Sequence, residues 1–296
     1  MSDECVAKTW KPSAPDQEAL DREELNQRMA EIRHKVLVLS GKGGVGKSTV
    51  AVNLAASLAA RDLQVGLMDA DVHGPSVPGL LGLEAVPPTG QGGHISPVRW
   101  SGNLKVMSIG FFLPGADDAV IWRGPLKMGL IKQFLKDVEW GRLDYLVIDS
   151  PPGTGDEPLS VAQLVPDADG AVIVTTPQTV AVSDVRRCIT FCRQVKLPVI
   201  GVVENMCGFV CPECHKVADI FKRGGGEKMA ADMGVPFLGR VPITTAVVES
   251  GEAGRPCVSH YASDPAALAF DLIADSVRRS VEKEGFLTGV RQERSP

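Results

Sequence analysis

From Lys35 onward the chain alternates between short apolar runs and longer amphipathic stretches. The runs fall at residues 35–40 (KVLVLS), 63–68, 104–109, 145–148, 171–175 and 199–203 (VIGVV), with a seventh expected at 236–239. They are nearly continuous in apolar character rather than alternating, as expected of strands covered on both faces. Helical periodicity lies between them, through Leu54 and Leu58 and over 126–138, 180–195 and 226–233. Strands and helices in this alternation predict right-handed βαβ crossovers. The expected fold is therefore α/β, a doubly wound, mostly parallel sheet with helices on both faces. Residues 84–103, rich in Gly and Pro, are expected to leave the sheet. The polar segment 1–33 reads as a mobile extension ending in a helix from about Asp16 to Arg33, without a core of its own. The ordered domain is placed at 34–283 and a disordered tail at 284–296.

Composition agrees with this pattern. Of 296 residues 44% are hydrophobic and only 5% aromatic, while Gly (31) and Pro (21) are plentiful. Small side chains suit helices packed closely on a sheet. The net charge is −5, and residues 1–31, with eight acids against four bases, hold most of it. No basic excess remains to embrace nucleic acid. Residues 1–11 lack the apolar segment of a signal peptide, and no run approaches the ~20 residues that span a bilayer. A cytoplasmic location without membrane or nucleic-acid partners is expected. Seven cysteines in a reducing compartment read as core residues, metal ligands or reactive thiols rather than a disulfide frame.

The candidate chemistry begins at GKGGVGKST, residues Gly41, Lys42, Gly43, Gly44, Val45, Gly46, Lys47, Ser48 and Thr49, directly after a strand and opening a helix. Glycines let backbone N–H groups approach phosphates, and the helix N-terminus adds positive potential. Lys47 is expected on the β- and γ-phosphate oxygens of ATP and the Ser48 hydroxyl on Mg²⁺. Residues 68–76 read MDADVHGPS and 145–157 read YLVIDSPPGTGDE. An aspartate closing an apolar strand suits a Mg²⁺ shell held through water, which points to Asp149; such an aspartate also serves as a helix cap. With its second lysine, the loop resembles the deviant Walker A of the nitrogenase-iron-protein, MinD and ParA superfamily. The resemblance implies that Lys42 reaches across a nucleotide-sandwich dimer and that Asp71 orients the attacking water. It further implies the Gly153 N–H near the γ-phosphate and Asn205 on adenine. The plainer alternatives are a surface lysine at 42 and a turn residue at 205.

Residues 201–219 read GVVENMCGFVCPECHKVAD. A lone C-x-x-C at Cys211 and Cys214 is compatible with zinc, iron–sulfur or redox chemistry. Four ligands are usual for metal sites of this type, and a two-fold dimer would supply four thiolates from two copies. DADVHGPS, IDSPPGTGDE, ENMCGFVCPEC and IFKRGGGEKMA, following GKGGVGKST, are together similar to the Mrp/ApbC/Nbp family of iron–sulfur cluster carriers, over roughly residues 34–280. That resemblance implies an ATPase, a homodimer or a heterodimer with a paralogue, and a bridging [4Fe–4S] cluster on Cys211 and Cys214 of each subunit. The labile cluster would pass to apo iron–sulfur proteins. The extension carries only Cys5, so the second N-terminal cluster of some members is not expected. Cys207 is a candidate spare ligand, His215 is expected to be exposed, and Cys257 carries no signal. Cys188 and Cys192, four apart, read as a core stripe. The competing readings are a MinD- or ParA-like positioning ATPase and the same ATPase with a structural zinc. The end 282–296 offers little apolar area for a membrane anchor.

Overall fold

A computed structural model of the protein describes residues 14–72, 74–91, 94–112 and 124–287. Eight strands make one sheet: β1 (Ile32–Ser40), β2 (Val65–Asp69), β3 (Val98–Arg99), β4 (Leu104–Ser108), β5 (Leu143–Asp149), β6 (Gly170–Thr175), β7 (Val199–Glu204) and β8 (Phe237–Arg240). Their order is β8-β7-β6-β1-β5-β2-β4-β3. Every pairing is parallel except that of β3 with β4. The sheet is therefore the expected mostly parallel one, extended at its edge by two residues from the segment expected to leave it. The rest of that segment forms a small antiparallel hairpin, Thr89–Gln91 with His94–Ser96.

The continuous apolar runs feed two cores, because successive strand side chains point to opposite faces. On β1, Val36 and Val38 enter one cluster and Leu37 and Leu39 the other. On β5, Tyr145 and Val147 part in the same way from Leu146 and Ile148. The first face is covered by α2 (Lys47–Ala59) and α8 (Pro265–Leu287), through residues such as Leu54, Leu58, Phe270 and Val277. The second is covered by α1 (Ala14–Ala30), α3 (Gly124–Lys136), α4 (Asp156–Leu164), α5 (Thr179–Gln194) and α6 (Gly225–Met233). A further helix, α7 (Thr245–Glu252), adds Ala246 to the first core.

Both chain ends depart from expectation where they are described. α1 is docked rather than detached: Leu25 and Met29, one turn apart on an otherwise polar helix, are buried in the second core. Asp21 pairs with Lys132 at 2.9 Å and Lys136 at 3.0 Å on α3. The domain thus begins before residue 34, with β1 starting at Ile32, while residues 1–13 of the expected mobile extension lie outside the described residues. α8 continues through Leu287, past the expected boundary at 283, and the expected tail is otherwise outside the described residues.

The winding fixes the site. After β1 the chain builds β2 and β4 on one side, returns to β5 beside β1, then builds β6 to β8 on the other. Ligands in open parallel sheets sit at the strand carboxyl ends beside such a reversal. There β1, β2, β5 and β7 deliver the glycine loop, Asp69, Asp149 and Glu204.

Candidate functional site

The loop between β1 and α2 turns on Gly44 and Gly46, both at φ 77°, in the left-handed region that costs a Cβ. Gly46 is the residue before α2, which has no side-chain cap and no acid in its first turn. The orphan amides of that turn are thereby left to an anion. Gly41 is required by close approach, since a Cβ there would lie 2.4 Å from the Asp184 backbone on α5. Ser40 Oγ donates to Lys42 O at 2.9 Å, pinning the loop's entry. Ser40, Lys42, Gly43, Gly44, Gly46, Lys47, Ser48, Thr49, Asp71 and Pro152 share the wall of a cleft of about 310 Å³. Lys42 is half-buried in that wall, and Val45 is buried behind it.

Facing the loop is a buried acidic cluster. Lys47 Nζ donates to Asp149 Oδ1 at 2.6 Å and lies 4.0 Å from Asp71 Oδ2. Among the described residues Asp149 Oδ2 is buried without a hydrogen-bond partner. A buried carboxylate oxygen left open beside a hydroxyl (Ser48) and a phosphate-binding loop fits the water shell of Mg²⁺. Burial raises the Asp149 pKa, against the opposing pull of Lys47. Asp69, fully buried, is pushed up to about 8, first by burial and then by the Asp149 charge, with Lys47, the Asp71 amide and Ser108 opposing. It holds the segment after β2: Oδ1 accepts the Asp71 N–H at 3.1 Å, and Oδ2 accepts Val77 N–H at 3.3 Å and Ser108 Oγ–H at 2.9 Å. Asp71 Oδ1 in turn accepts the Gly74 N–H at 3.3 Å.

The remaining candidates are placed by backbone contacts. The Gly153 N–H, at φ 97°, donates to Ser40 O at 2.9 Å, so the turn after β5 is latched to the start of the glycine loop. Asn205 Nδ2 donates to Val45 O at 2.9 Å, and a Cβ on Gly46 would fall 2.2 Å from that nitrogen. Asn205 therefore braces the loop from below.

Cys211 and Cys214 occupy the tip of an antiparallel hairpin, Phe209–Val210 with Val217–Ala218. The Cys211 N–H donates to Lys216 O at 3.0 Å and the His215 N–H to Cys211 O at 2.9 Å, with His215 at φ 57°. The tight turn aims the amides of Cys214 and Glu213 at the Cys211 sulfur; these, with the Cys214 thiol, lower its pKa. Amides so placed favour the thiolate, the form that ligates metals. Cys214 is exposed and Cys211 partly so. Cys207 is buried, and burial together with the Glu204 carboxylate pushes its thiol up to about 12, unlike an open ligand. Cys188, Cys192 and Cys257 are buried as well. Among the described residues no group of three or more His, Cys, Asp or Glu side chains is placed to hold a metal.

Glu204 and the glycines at 224–226 fall in the motifs ENMCGFVCPEC and IFKRGGGEKMA, but the sequence assigned them no role. Glu204, fully buried at the end of β7, accepts the Gly224 N–H at 2.9 Å and the Gly226 N–H, at the N-terminus of α6. The triple glycine is its counterpart. Gly224 is left-handed at φ 83°, and a Cβ on Gly225 would lie 2.4 Å from Pro177 O. A glycine triplet just before a helix, paired with a strand-ending acid, was the available signal.

A glycine loop opening onto the amides of α2, with lysine and strand-end aspartates across the cleft, places the protein among P-loop NTPases of the doubly wound type. The chain belongs to the ParA family: the model described as the NUBPL iron-transfer P-loop NTPase matches residues 31–278. It is 50% identical over 256 residues to an iron-sulfur cluster carrier protein of Methanocaldococcus jannaschii, covering 86% of this chain and 88% of that one. A second such protein, from Methanococcus maripaludis, is 46% identical over 261 residues, covering 88% and 90%. Among solved structures it is similar to the nucleotide-binding protein of Archaeoglobus fulgidus in complex with ADP, with cobalt found (TM-score 0.73, 39% identity, 84% and 96% covered). The cell division ATPase MinD of Pyrococcus furiosus (TM-score 0.59, 22% identity, 83% and 98% covered) shares the fold.

Proposed function

We propose that this chain is an ATP-hydrolysing carrier that assembles a labile [4Fe–4S] cluster between two subunits in the cytoplasm and passes it to apo iron–sulfur proteins. The carrying observation is the thiol pair at the tip of an exposed hairpin, with amides aimed at Cys211, on the sheet edge that bears the phosphate loop. A four-iron cube wants about four protein thiolates. One tip offers Cys211 and Cys214, so a second copy, or a paralogue, completes the set on a two-fold axis. The curated relatives named as iron-sulfur cluster carriers support this reading over a positioning ATPase, for which the MinD similarity speaks only to fold.

For ATP, the α2 amides and Lys47 hold the phosphates, and Ser48 and Asp149 hold Mg²⁺, which screens phosphate charge when bound. Asp71, kept in place by the hydrogen bond its N–H donates to Asp69 Oδ1, orients the attacking water. Lys42 reaches the partner subunit's nucleotide, and Asn205 serves adenine while bracing Val45. Absorption spectroscopy with iron and sulfide analysis of anaerobically reconstituted protein, followed by transfer to an apo-acceptor, tests the reading. A broad brown chromophore lost to the acceptor supports it. A colourless protein holding one zinc per dimer overturns it in favour of a structural site.

A further inference from the structure

We propose that Glu204 is a positioning residue that ties the cysteine hairpin to the nucleotide site, so that the state of the phosphate loop sets the placement of Cys211 and Cys214. This rests on the carrier reading above and adds the route by which its two halves communicate. Adjacent residues at the end of β7 face opposite ways. Asn205 grips Val45 O in the phosphate loop, and its own N–H is fixed to Thr175 O at 2.8 Å on β6. Glu204 grips both ends of the excursion that carries the hairpin. At the far end its two oxygens accept the Gly224 and Gly226 amides. At the near end it meets the Cys207 thiol, three residues on. The Arg240 guanidinium on β8 lies 3.4 Å from Oε1, closing the ring of charge around a fully buried carboxylate.

Beyond the half-buried base at Phe209–Cys211, the excursion is exposed from Pro212 through Arg223. The hairpin therefore has few other anchors: the Cys207 N–H donates to Val241 O and the Val210 N–H to Ile243 O, and the Ile243 N–H donates back to Gly208 O. Met206, between Asn205 and the hairpin, is held at φ 56°, a conformation that costs a long side chain energy unless its surroundings impose it. A strained residue between a grip on the phosphate loop and a grip on the hairpin base is where a displacement of one would be relieved by the other. A carboxylate suits the clamp because both oxygens must accept. Glutamine would turn an N–H₂ toward an amide donor or toward Arg240 and lose one side of it.

The test uses the full-length, metal-free chain at concentrations where sedimentation finds a monomer with either nucleotide. The alkylation rates of Cys211 and Cys214 by iodoacetamide are measured with ADP and with a non-hydrolysable ATP analogue. In the wild-type chain the two rates differ. In Glu204→Gln their ratio falls to about one, the value for uncoupled sites, while the affinity for a fluorescent ATP analogue is retained. Gly226→Ala, whose new Cβ would lie 3.0 Å from Glu204 Oε2, loses the ratio in the same way and decides the matter if Glu204→Gln does not fold. A merely structural glutamate would change both rates together and leave their ratio. A preserved ratio in the folded variants, or equal rates in the wild type, overturns the proposal. Failure of the carrier reading shows separately, as failure to bind nucleotide or to assemble a cluster.

Discussion

Lys47 and Asp149, 102 residues apart in the chain, meet at 2.6 Å where the phosphate loop passes the end of β5. The pair is closed from water, with side-chain exposures of 6% and 0%. A buried ion pair is worth little net, but losing one partner strands the other in a poor medium for charge. Lys47→Ala is accordingly expected to do two things. Hydrolysis of ATP falls by at least about 100-fold, the scale for removing a fixed charge from a transition state. The folded chain without nucleotide also loses about 3 kcal/mol, read from urea midpoints. Wild-type turnover in this variant would remove the P-loop assignment.

Asp69 gives a pH dependence of defined sign. Its carboxyl is raised from 3.8 to about 8 by burial and by Asp149, so folding takes up a proton between those values. Its contribution to stability is fully present below about pH 4 and is lost as pH rises through about 8, with a slope of up to about 1.4 kcal/mol per pH unit. Asp69→Asn is matched in size and cannot titrate, and the hydrogen bond it loses is a cost that does not vary with pH. Between pH 5 and 8 the nucleotide-free wild type should lose stability relative to Asp69→Asn in denaturant titrations. A difference that is flat, or that grows the other way, shows that Asp69 is ionised in the folded chain.

What could be read before the fold was known follows from how strongly each feature is written locally. A strand buried on both faces needs an unbroken apolar run, so KVLVLS and VIGVV marked β1 and β7. The loop GKGGVGKST declares itself through glycines that the backbone requires. β3 has two residues and the cysteine hairpin two per strand, too short for any period to register. The apolar part of the docking of α1 rests on Leu25 and Met29, two positions that a polar helix conceals, and its ion pairs from Asp21 reach lysines more than a hundred residues away. The part played by Glu204 was harder to read for another reason. A carboxylate ending a strand is ordinarily a solvated residue, and its burial depends on amides of Gly224 and Gly226 twenty residues later.

Lys42 lies half-buried in the cleft wall, where Lys47 is buried. If it acts across a two-fold interface, Lys42→Ala retains nucleotide binding but loses ATP-dependent dimerisation or hydrolysis. Equilibrium binding of a fluorescent nucleotide, sedimentation with and without ATP, and a phosphate-release assay separate these. Unchanged sedimentation and turnover together would leave Lys42 a residue of the cleft wall only.

The cysteines divide by environment, and the division is testable residue by residue. Cys211 and Cys214 sit at an open tip, where backbone amides lower the Cys211 pKa, whereas Cys188, Cys192 and Cys257 are enclosed in apolar cores. Cys207 is enclosed as well, with its thiol against Glu204 and its pKa driven to about 12. Ligation to iron wants a thiolate at an accessible place. Alanine at 211 or 214 should therefore abolish the brown chromophore of reconstituted protein, and alanine at 188, 192, 207 or 257 should keep it. Removing the buried thiols costs stability instead, about 1 kcal/mol each for a small core group, seen as a lower unfolding midpoint. Iron and sulfide should each approach about four per dimer, the content of one shared cube. Two outcomes contradict the arrangement. Loss of the chromophore in Cys207→Ala, with its fold intact, would mean that the hairpin base opens to make a three-thiolate site within one chain. A full cluster per monomer that survives Cys214→Ala would mean that the tip is not the ligand at all.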